Sequence, residues 1–211
     1  EAIALDAAPV ELKRKIHAIV IATGWKLYDT SRLENFGYQE DPDVLTNLEF
    51  EYLLAGTVQD HRELVRPSDG TVPERIAFVQ CAGSRDQRHL PYCSAVCCSA
   101  TVKHVLTLAE SHPGISAEVF YIDLRLTGRN EVLLQKADVI GSIQMTKGKV
   151  GRISRVPGGD RLQIEVEDVM NGTRREECFD MVVLAAGMVP NPVSIDLESG
   201  PEGFYLATQQ E

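Results

Sequence analysis

The stretch from Arg75 to Asp123 constrains the fold more than any other part of the chain. It opens with an apolar run of strand length, Arg75 to Gln80 (RIAFVQ), and passes into a long loop. From Ala95 to Ser111 small and apolar residues then recur at helical spacing: Val96, Ala100, Val102, Val105, Leu106, Leu108 and Ala109. His112-Pro113-Gly114 stops that helix, and Ala117 to Asp123 (AEVFYID) is a second strand-length run. Strand, loop, helix, strand is a βαβ unit, and it commits the chain to a parallel sheet with a right-handed crossover.

The flanking segments extend this plan. Ile16 to Ala22 (IHAIVIA) is a continuous apolar run ending in Thr23-Gly24, the pattern of a buried parallel strand. Residues 25–45 read as a long loop. Thr46-Asn-Leu-Glu49 is a capping box that starts a helix expected to end at Gly56. Residues 57–74, charged and carrying Pro67, Gly70 and Pro73, read as a linker. A short helix is expected near Asn130 to Ala137. Beyond it lie three strands, Lys149–Val156, Arg161–Asp168 and Glu177–Ala185, joined through Pro157-Gly158-Gly159 and Asn171-Gly172. Those turn residues favour hairpins. The expected class is α/β: a dinucleotide-binding, Rossmann-like domain of the FAD/NAD(P)-linked disulfide-reductase type, with a parallel sheet and an antiparallel meander. The expected divisions are 1–74, 75–190 for the inserted nucleotide-type domain, and 191–211. Glu1 is not a methionine and no structural stop precedes Gln210-Glu211, so both ends read as cuts through a longer protein.

Composition narrows the function. A net charge of −10 argues against nucleic acid as a partner, because phosphate backbones call for clustered Lys and Arg. No apolar run reaches the roughly 18 residues needed to span a bilayer. Clustered thiols beside a leftover fifth cysteine, with no signal-peptide pattern, point to a reducing, cytoplasmic location.

The loop of the βαβ unit carries the chemistry. A nucleotide-binding turn there would read G-x-G-x-x-G, so that backbone could approach a pyrophosphate. Here Gly83 alone remains, and four of the five cysteines fall within eighteen residues: Cys81, Cys93, Cys97 and Cys98. Three readings of them stand. An iron–sulfur cluster needs four soft ligands, and a helix N-terminus would stabilise its negative charge. Structural zinc more often uses C-x₂₋₄-C pairs set well apart. Reduced thiols without metal are the third. Asp123 holds the place of an acidic ribose ligand, although an Asp ending a strand is more commonly a cap. Cys178 reads as a packed small hydrophobe and His89 and His104 as structural. Arg85, Asp86 and Arg88 read as loop-shaping or solvated, and Asp180 as a turn or cap residue.

Several stretches together resemble a known family. Phe78-Val-Gln-Cys-Ala-Gly-Ser-Arg-Asp86, Pro91-Tyr-Cys-Ser-Ala-Val-Cys-Cys98, Lys103-His104, Val20–Gly24, Thr46–Phe50, Tyr121–Arg125 and Phe179–Gly187 are similar to the A-subunit family of heterodisulfide reductase. They lean toward its relatives in the quinone-interacting membrane-bound oxidoreductase complex of sulfate reducers. The resemblance implies an FAD protein that carries [4Fe–4S] clusters and passes electrons among the redox subunits of a multi-subunit complex. It implies that Cys81, Cys93, Cys97 and Cys98 ligate one such cluster. It places Lys103 near the flavin ring as a cation that tunes it, and leaves Thr23, Gly24 and Gly187 as cofactor-side turns at the domain crossovers. The glycine-rich segment that grips FAD is not in this sequence, so the chain alone is expected to hold FAD weakly or not at all. Two other functions compete: an NAD(P)H-dependent flavin disulfide reductase, which the missing glycines oppose, and a zinc-stabilised interaction domain.

Overall fold

The computed structural model describes residues 8–170 and 172–206. Asn171 of the second expected hairpin turn, and the two termini, lie outside the described residues.

Seven strands form one continuous sheet. In chain order the parallel members are β2 (Val44–Thr46), β3 (Arg75–Ala82), β4 (Ser116–Tyr121), the first part of β5 (Ile143–Arg155) and β8 (Met181–Ala186). The second part of β5 turns antiparallel with β6 (Leu162–Asp168), which pairs with β7 (Thr173–Phe179). The spatial order is β2-β8-β3-β4-β5-β6-β7, so the last long strand in the chain occupies an interior position. A separate two-stranded ribbon joins β1 (Trp25–Leu27) to β9 (Met188–Pro190). Both the α/β class and the parallel-plus-meander plan are as the sequence predicts.

Each face of the sheet has its own core. Helices α1 (Asn47–Asp60), α2 (Cys97–Ser111) and α3 (Glu131–Asp138) accompany one face, where Phe50, Ile76, Phe78, Val102, Val105 and Met181 are buried together. The Phe50 and Phe78 rings meet edge to face at 5.3 Å, a pairing worth about 0.5–1.5 kcal/mol beyond area burial. On the other face Ala77, Val79, Phe120, Val182 and Leu184 pack against Val150, Ile164 and Val166 of the antiparallel strands. Strand alternation sorts the residues: Ile76 and Phe78 join the helical core, Ala77 and Val79 the other.

Four expectations need correction. Ile16–Ala22 forms no strand: it is irregular, and Val20 is 90% exposed. None of the described strands pairs with it, and an unpaired strand leaves its backbone groups without partners. Helix α1 runs through Gly56 to Asp60 and ends at His61, which takes the left-handed conformation (φ 51°). The expected capping box is present, with the Thr46 hydroxyl accepting from Glu49 N at 3.2 Å and the Glu49 carboxylate accepting from Thr46 N at 2.7 Å. Residues 25–45 are not all loop, since they contain β1 and the start of β2. Finally, Glu177–Ala185 is not one strand. Asp180 divides β7 from β8, and its carboxylate accepts from Glu74 N and Arg75 N, both at 2.8 Å, capping the start of β3.

The linker read at 57–74 is helical as far as Asp60 and anchored beyond it. Arg66 is 4% exposed and Asp43 0%. The Asp43 carboxylate accepts from Arg66, Arg155, Ser68 N and the Ser68 hydroxyl. Burial pushes its pKa up, but those bonds outweigh it and hold Asp43 below the usual carboxylate range.

Candidate metal centre

The cysteine loop begins inside β3. Cys81 has φ 57°, and the pairing of β3 with β8 shifts register between Val79 and Ala82. Arg85 (φ 59°) and Ala95 (φ 62°) are also left-handed, so three of the four described non-glycine residues with positive φ lie in this one loop. Such conformations cost about 1–3 kcal/mol each and persist only where the surroundings enforce them.

The surroundings here are specific. Leu90 N donates to Gly83 O at 2.9 Å and Asp86 N to Leu90 O at 3.0 Å, folding the loop back on itself. The Asp86 carboxylate accepts from Arg88 N at 3.0 Å and pairs with the Arg88 guanidinium at 2.9 Å. Tyr92 donates its hydroxyl to Met188 O at 2.8 Å, and the Ser94 hydroxyl accepts from Met188 N at 2.8 Å. Gly187 lies directly against the loop. A Cβ there would strike the Ser84 hydroxyl, Leu90 Cδ1 at 2.7 Å and Ser94 Oγ at 3.0 Å. Sequence reasoning does not single out Leu90, Tyr92 and Ser94; their one signal is position between the cysteines.

The loop delivers the thiols to the carboxyl ends of three parallel strands. Cys81 lies at the end of β3. Cys97 Sγ donates to Ala186 O, at the end of β8, at 3.5 Å. Cys98 Sγ donates to Asp123 O, just past β4, at 3.9 Å. Cys93 Sγ accepts from Ala95 N at 3.4 Å. Cys97 and Cys98 form the first turn of α2, whose N-cap, Val96, supplies no side-chain cap. First-turn N–H groups therefore stand beside the thiols without a capping side chain to satisfy them.

The four thiols lie within electrostatic reach of one another. Burial raises the pKa of Cys81, and charge on Cys98 and Cys93 raises it further. Cys97 is pushed up to about 12, first by burial and then by Cys81, Cys98 and Cys93. Burial likewise raises Cys98, and Cys93 adds to it. Every pair among the four is thus close enough for charge on one sulfur to be felt by the other. Among the described residues no three His, Cys, Asp or Glu side chains stand in a metal-ligating arrangement, and three of the four sulfurs are turned to backbone partners. Cys178 lies apart on β7.

The remaining sequence candidates fall as follows. Asp123 is engaged by Arg85 at 3.0 Å, an ion pair rather than an open ribose site. His104 is 2% exposed, near Phe50 and Phe78, with Nε2 at 2.6 Å from the Glu51 carboxylate. His89 Nδ1 meets the Tyr28 hydroxyl at 2.9 Å. Lys103 is exposed on α2 and pairs with Glu51 of α1 at 2.5 Å. The β1–β9 ribbon holds Thr23 and Gly24 at one end and Gly187 at the other, and does not bring them together: Asn191 Nδ2 donates to Thr23 O at 2.9 Å and Tyr28 N to Gly187 O at 2.8 Å.

No protein-family model matches the chain. Curated relatives do. A CoB–CoM heterodisulfide reductase iron-sulfur protein of Methanopyrus kandleri, the second of its A-type subunits, is 33% identical over 98% of this chain and 33% of its own length. The A-type iron-sulfur subunit of CoB–CoM heterodisulfide reductase from Methanocaldococcus jannaschii is 33% identical over 97% of this chain and 32% of its own. The A-type subunit of H(2)/formate:CoB-CoM heterodisulfide,ferredoxin reductase from Methanococcus maripaludis is 32% identical over 97% and 32%. The chain therefore spans about a third of the relatives it matches. Among solved structures, reduced ornithine hydroxylase from Pseudomonas aeruginosa aligns with TM-score 0.49 at 12% identity, over 80% of this chain and 45% of that one.

Proposed function

Because this chain belongs to the A-subunit family of heterodisulfide reductase, we propose that it is the electron-carrying middle segment of an oxidoreductase subunit, in which Cys81, Cys93, Cys97 and Cys98 hold a [4Fe–4S] cluster. What supports the reading is the donor set: four thiols in one loop, with Cys81 at the end of β3 and Cys97 and Cys98 in the first turn of α2, bonded to the carbonyls of Ala186 and Asp123 past β8 and β4.

The donor set fits such a group in kind. All four ligands are thiols, two stand at an uncapped helix N-terminus, and the Arg85 guanidinium lies beside Cys81. As free thiols Cys81, Cys97 and Cys98 are held protonated by burial and by neighbouring sulfurs, an arrangement that a bound cation would reverse. Turning Cys97 and Cys98 away from the Ala186 and Asp123 carbonyls is a side-chain change the site requires. A cluster, when bound, supplies one-electron storage. The protein contributes the loop that fixes the sulfurs, the first-turn amides of α2 that offset negative charge, and Leu90, which shields the loop from water.

FAD belongs to the reading at the level of the whole subunit. Thr23, Gly24 and Gly187 would form the turns on its side, and Lys103 would tune it electrostatically. The chain alone would retain little FAD. Its partners would be the other redox subunits of an electron-transfer complex, and no described helix is long and apolar enough to cross a membrane.

Anaerobic purification followed by iron, sulfide and zinc analysis tests the proposal. The expected result is iron and sulfide in equal amounts, lost in each of Cys81→Ser, Cys93→Ser, Cys97→Ser and Cys98→Ser and kept in Cys178→Ser. Stoichiometric zinc, or iron unaffected by those four substitutions, overturns it.

A further inference from the structure

Arg85 is fixed in the cysteine loop at both its backbone and its side chain. Its φ is 59°, and its N–H donates to Tyr92 O at 3.1 Å, one residue before Cys93. Left-handed backbone at a non-glycine residue persists only where the surroundings enforce it. Nη2 pairs with the Asp123 carboxylate at 3.0 Å, and the Asp123 carbonyl accepts from Cys98 Sγ at 3.9 Å. The side chain therefore ties the loop after β3 to the segment after β4, between the two places where Cys81 and Cys98 stand.

The same guanidinium keeps a donor unused. Nη1 is buried without a hydrogen-bond partner, on a side chain that lies beside Cys81. A buried donor of a charged group is costly to leave unpaired, so such an atom points to an acceptor that the site takes up. Its charge also reaches the sulfurs. Burial and Cys98 raise the pKa of Cys81, and Arg85 works against them; burial raises Cys98, and Arg85 again opposes it. Two other arginines lie nearby but differ. Arg88 is 78% exposed and pairs with Asp86. Arg125 acts on Cys98 from a side chain 54% exposed, where water and salt screen it.

We propose, on the cluster reading above, that Arg85 is a redox-tuning residue: a fixed cation with a spare donor that favours the reduced state of a cluster held by the four cysteines. Reduction there adds one electron and no proton, breaks no bond, and makes the site more negative by one charge. A positive charge beside the site and a hydrogen bond to sulfur both stabilise that state and raise the potential. Asp123, the anion on the other side of the guanidinium, offsets part of the effect.

The test is an anaerobic redox titration of the complete subunit with dithionite as reductant, following the EPR signal that Cys97→Ser abolishes. Arg85→Gln should keep its iron and sulfide and move the equilibrium about tenfold toward the oxidised state, the scale of one charge-assisted hydrogen bond. For a one-electron couple that is a midpoint about 59 mV lower. Arg85→Lys keeps the charge without the fork and should fall between Arg85→Gln and the parent. Asp123→Asn should shift the midpoint the other way, and Arg88→Gln should leave it unchanged. If Arg85→Gln loses its iron, the Arg85→Lys and Asp123→Asn midpoints decide: shifts of opposite sign support the proposal, and no shift in either overturns it. An unshifted midpoint in an iron-loaded Arg85→Gln, or an equal shift in Arg88→Gln, overturns it and leaves the cluster reading standing. A parent protein without iron and sulfide overturns the cluster reading, and the tuning role with it.

Discussion

Gly187→Ala tests how tightly the cysteine loop is held. Gly187 has no positive φ, so the substitution carries no backbone strain and its effect is purely one of space. The added methyl meets Leu90 Cδ1 at 2.7 Å and Ser94 Oγ at 3.0 Å, besides the Ser84 hydroxyl. Overpacking of this kind costs about 1–3 kcal/mol. If Ser94 moves aside, its bond from Met188 N is lost as well, about another 1 kcal/mol. Against this, alanine restricts the unfolded chain and returns about 0.4–1 kcal/mol. The net loss is roughly 1–3 kcal/mol, so Tm should fall by roughly 2–12 °C for a chain of this size. Thermal unfolding measures the first effect. The rate of thiol labelling in the metal-free protein measures the second, and it should rise as the loop loosens. Gly114→Ala is the control, since a Cβ there meets nothing within 4 Å. A Gly187→Ala protein as stable as the parent, with unchanged labelling, would refute the packing argument.

Four further outcomes are expected. Asp43→Ala leaves Arg66 and Arg155 without their buried partner and should cost about 3–5 kcal/mol in denaturant unfolding. Because the folded pKa of Asp43 lies below its unfolded value, its stabilisation is complete above pH about 4 and fades as pH falls through the folded value; an acid titration should be flatter in Asp43→Asn. Gly56→Ala, inside α1 with open space around it, should raise stability by about 1 kcal/mol, measured by the same unfolding curves. In the metal-free protein Cys97, buried and pushed up to about 12, should be the last of the loop thiols to be alkylated at neutral pH, as read by peptide mass spectrometry.

Legibility followed the range of the forces involved. The β3–α2–β4 unit is written in local apolar runs and is readable throughout, as is the Thr46–Glu49 box. Strand β2 has three residues and owes its place to pairing with β8, more than 130 positions away, so no local pattern marks it. Ile16–Ala22 has the composition of a buried strand but no neighbour to pair with among the described residues. Asp180, readable as a turn or cap residue, marks the division of Glu177–Ala185; what the local run does not reveal is that its carboxylate caps the start of β3. Cysteine spacing announces four thiols in one loop, but not the backbone partners that three of the sulfurs take in the fold.

The interior position of β8 has a consequence for how the chain is made. Its two neighbours, β2 and β3, are synthesised about a hundred residues or more before it, and until residue 186 is available they cannot be joined. Such long-range closure slows folding. A nascent chain therefore carries the cysteine loop on an incomplete sheet, with Cys97 lacking its Ala186 carbonyl, until translation has passed β8. A thiol reagent offered early would meet a loose loop; one offered after β8 has inserted would meet Cys97 already turned to the Ala186 carbonyl.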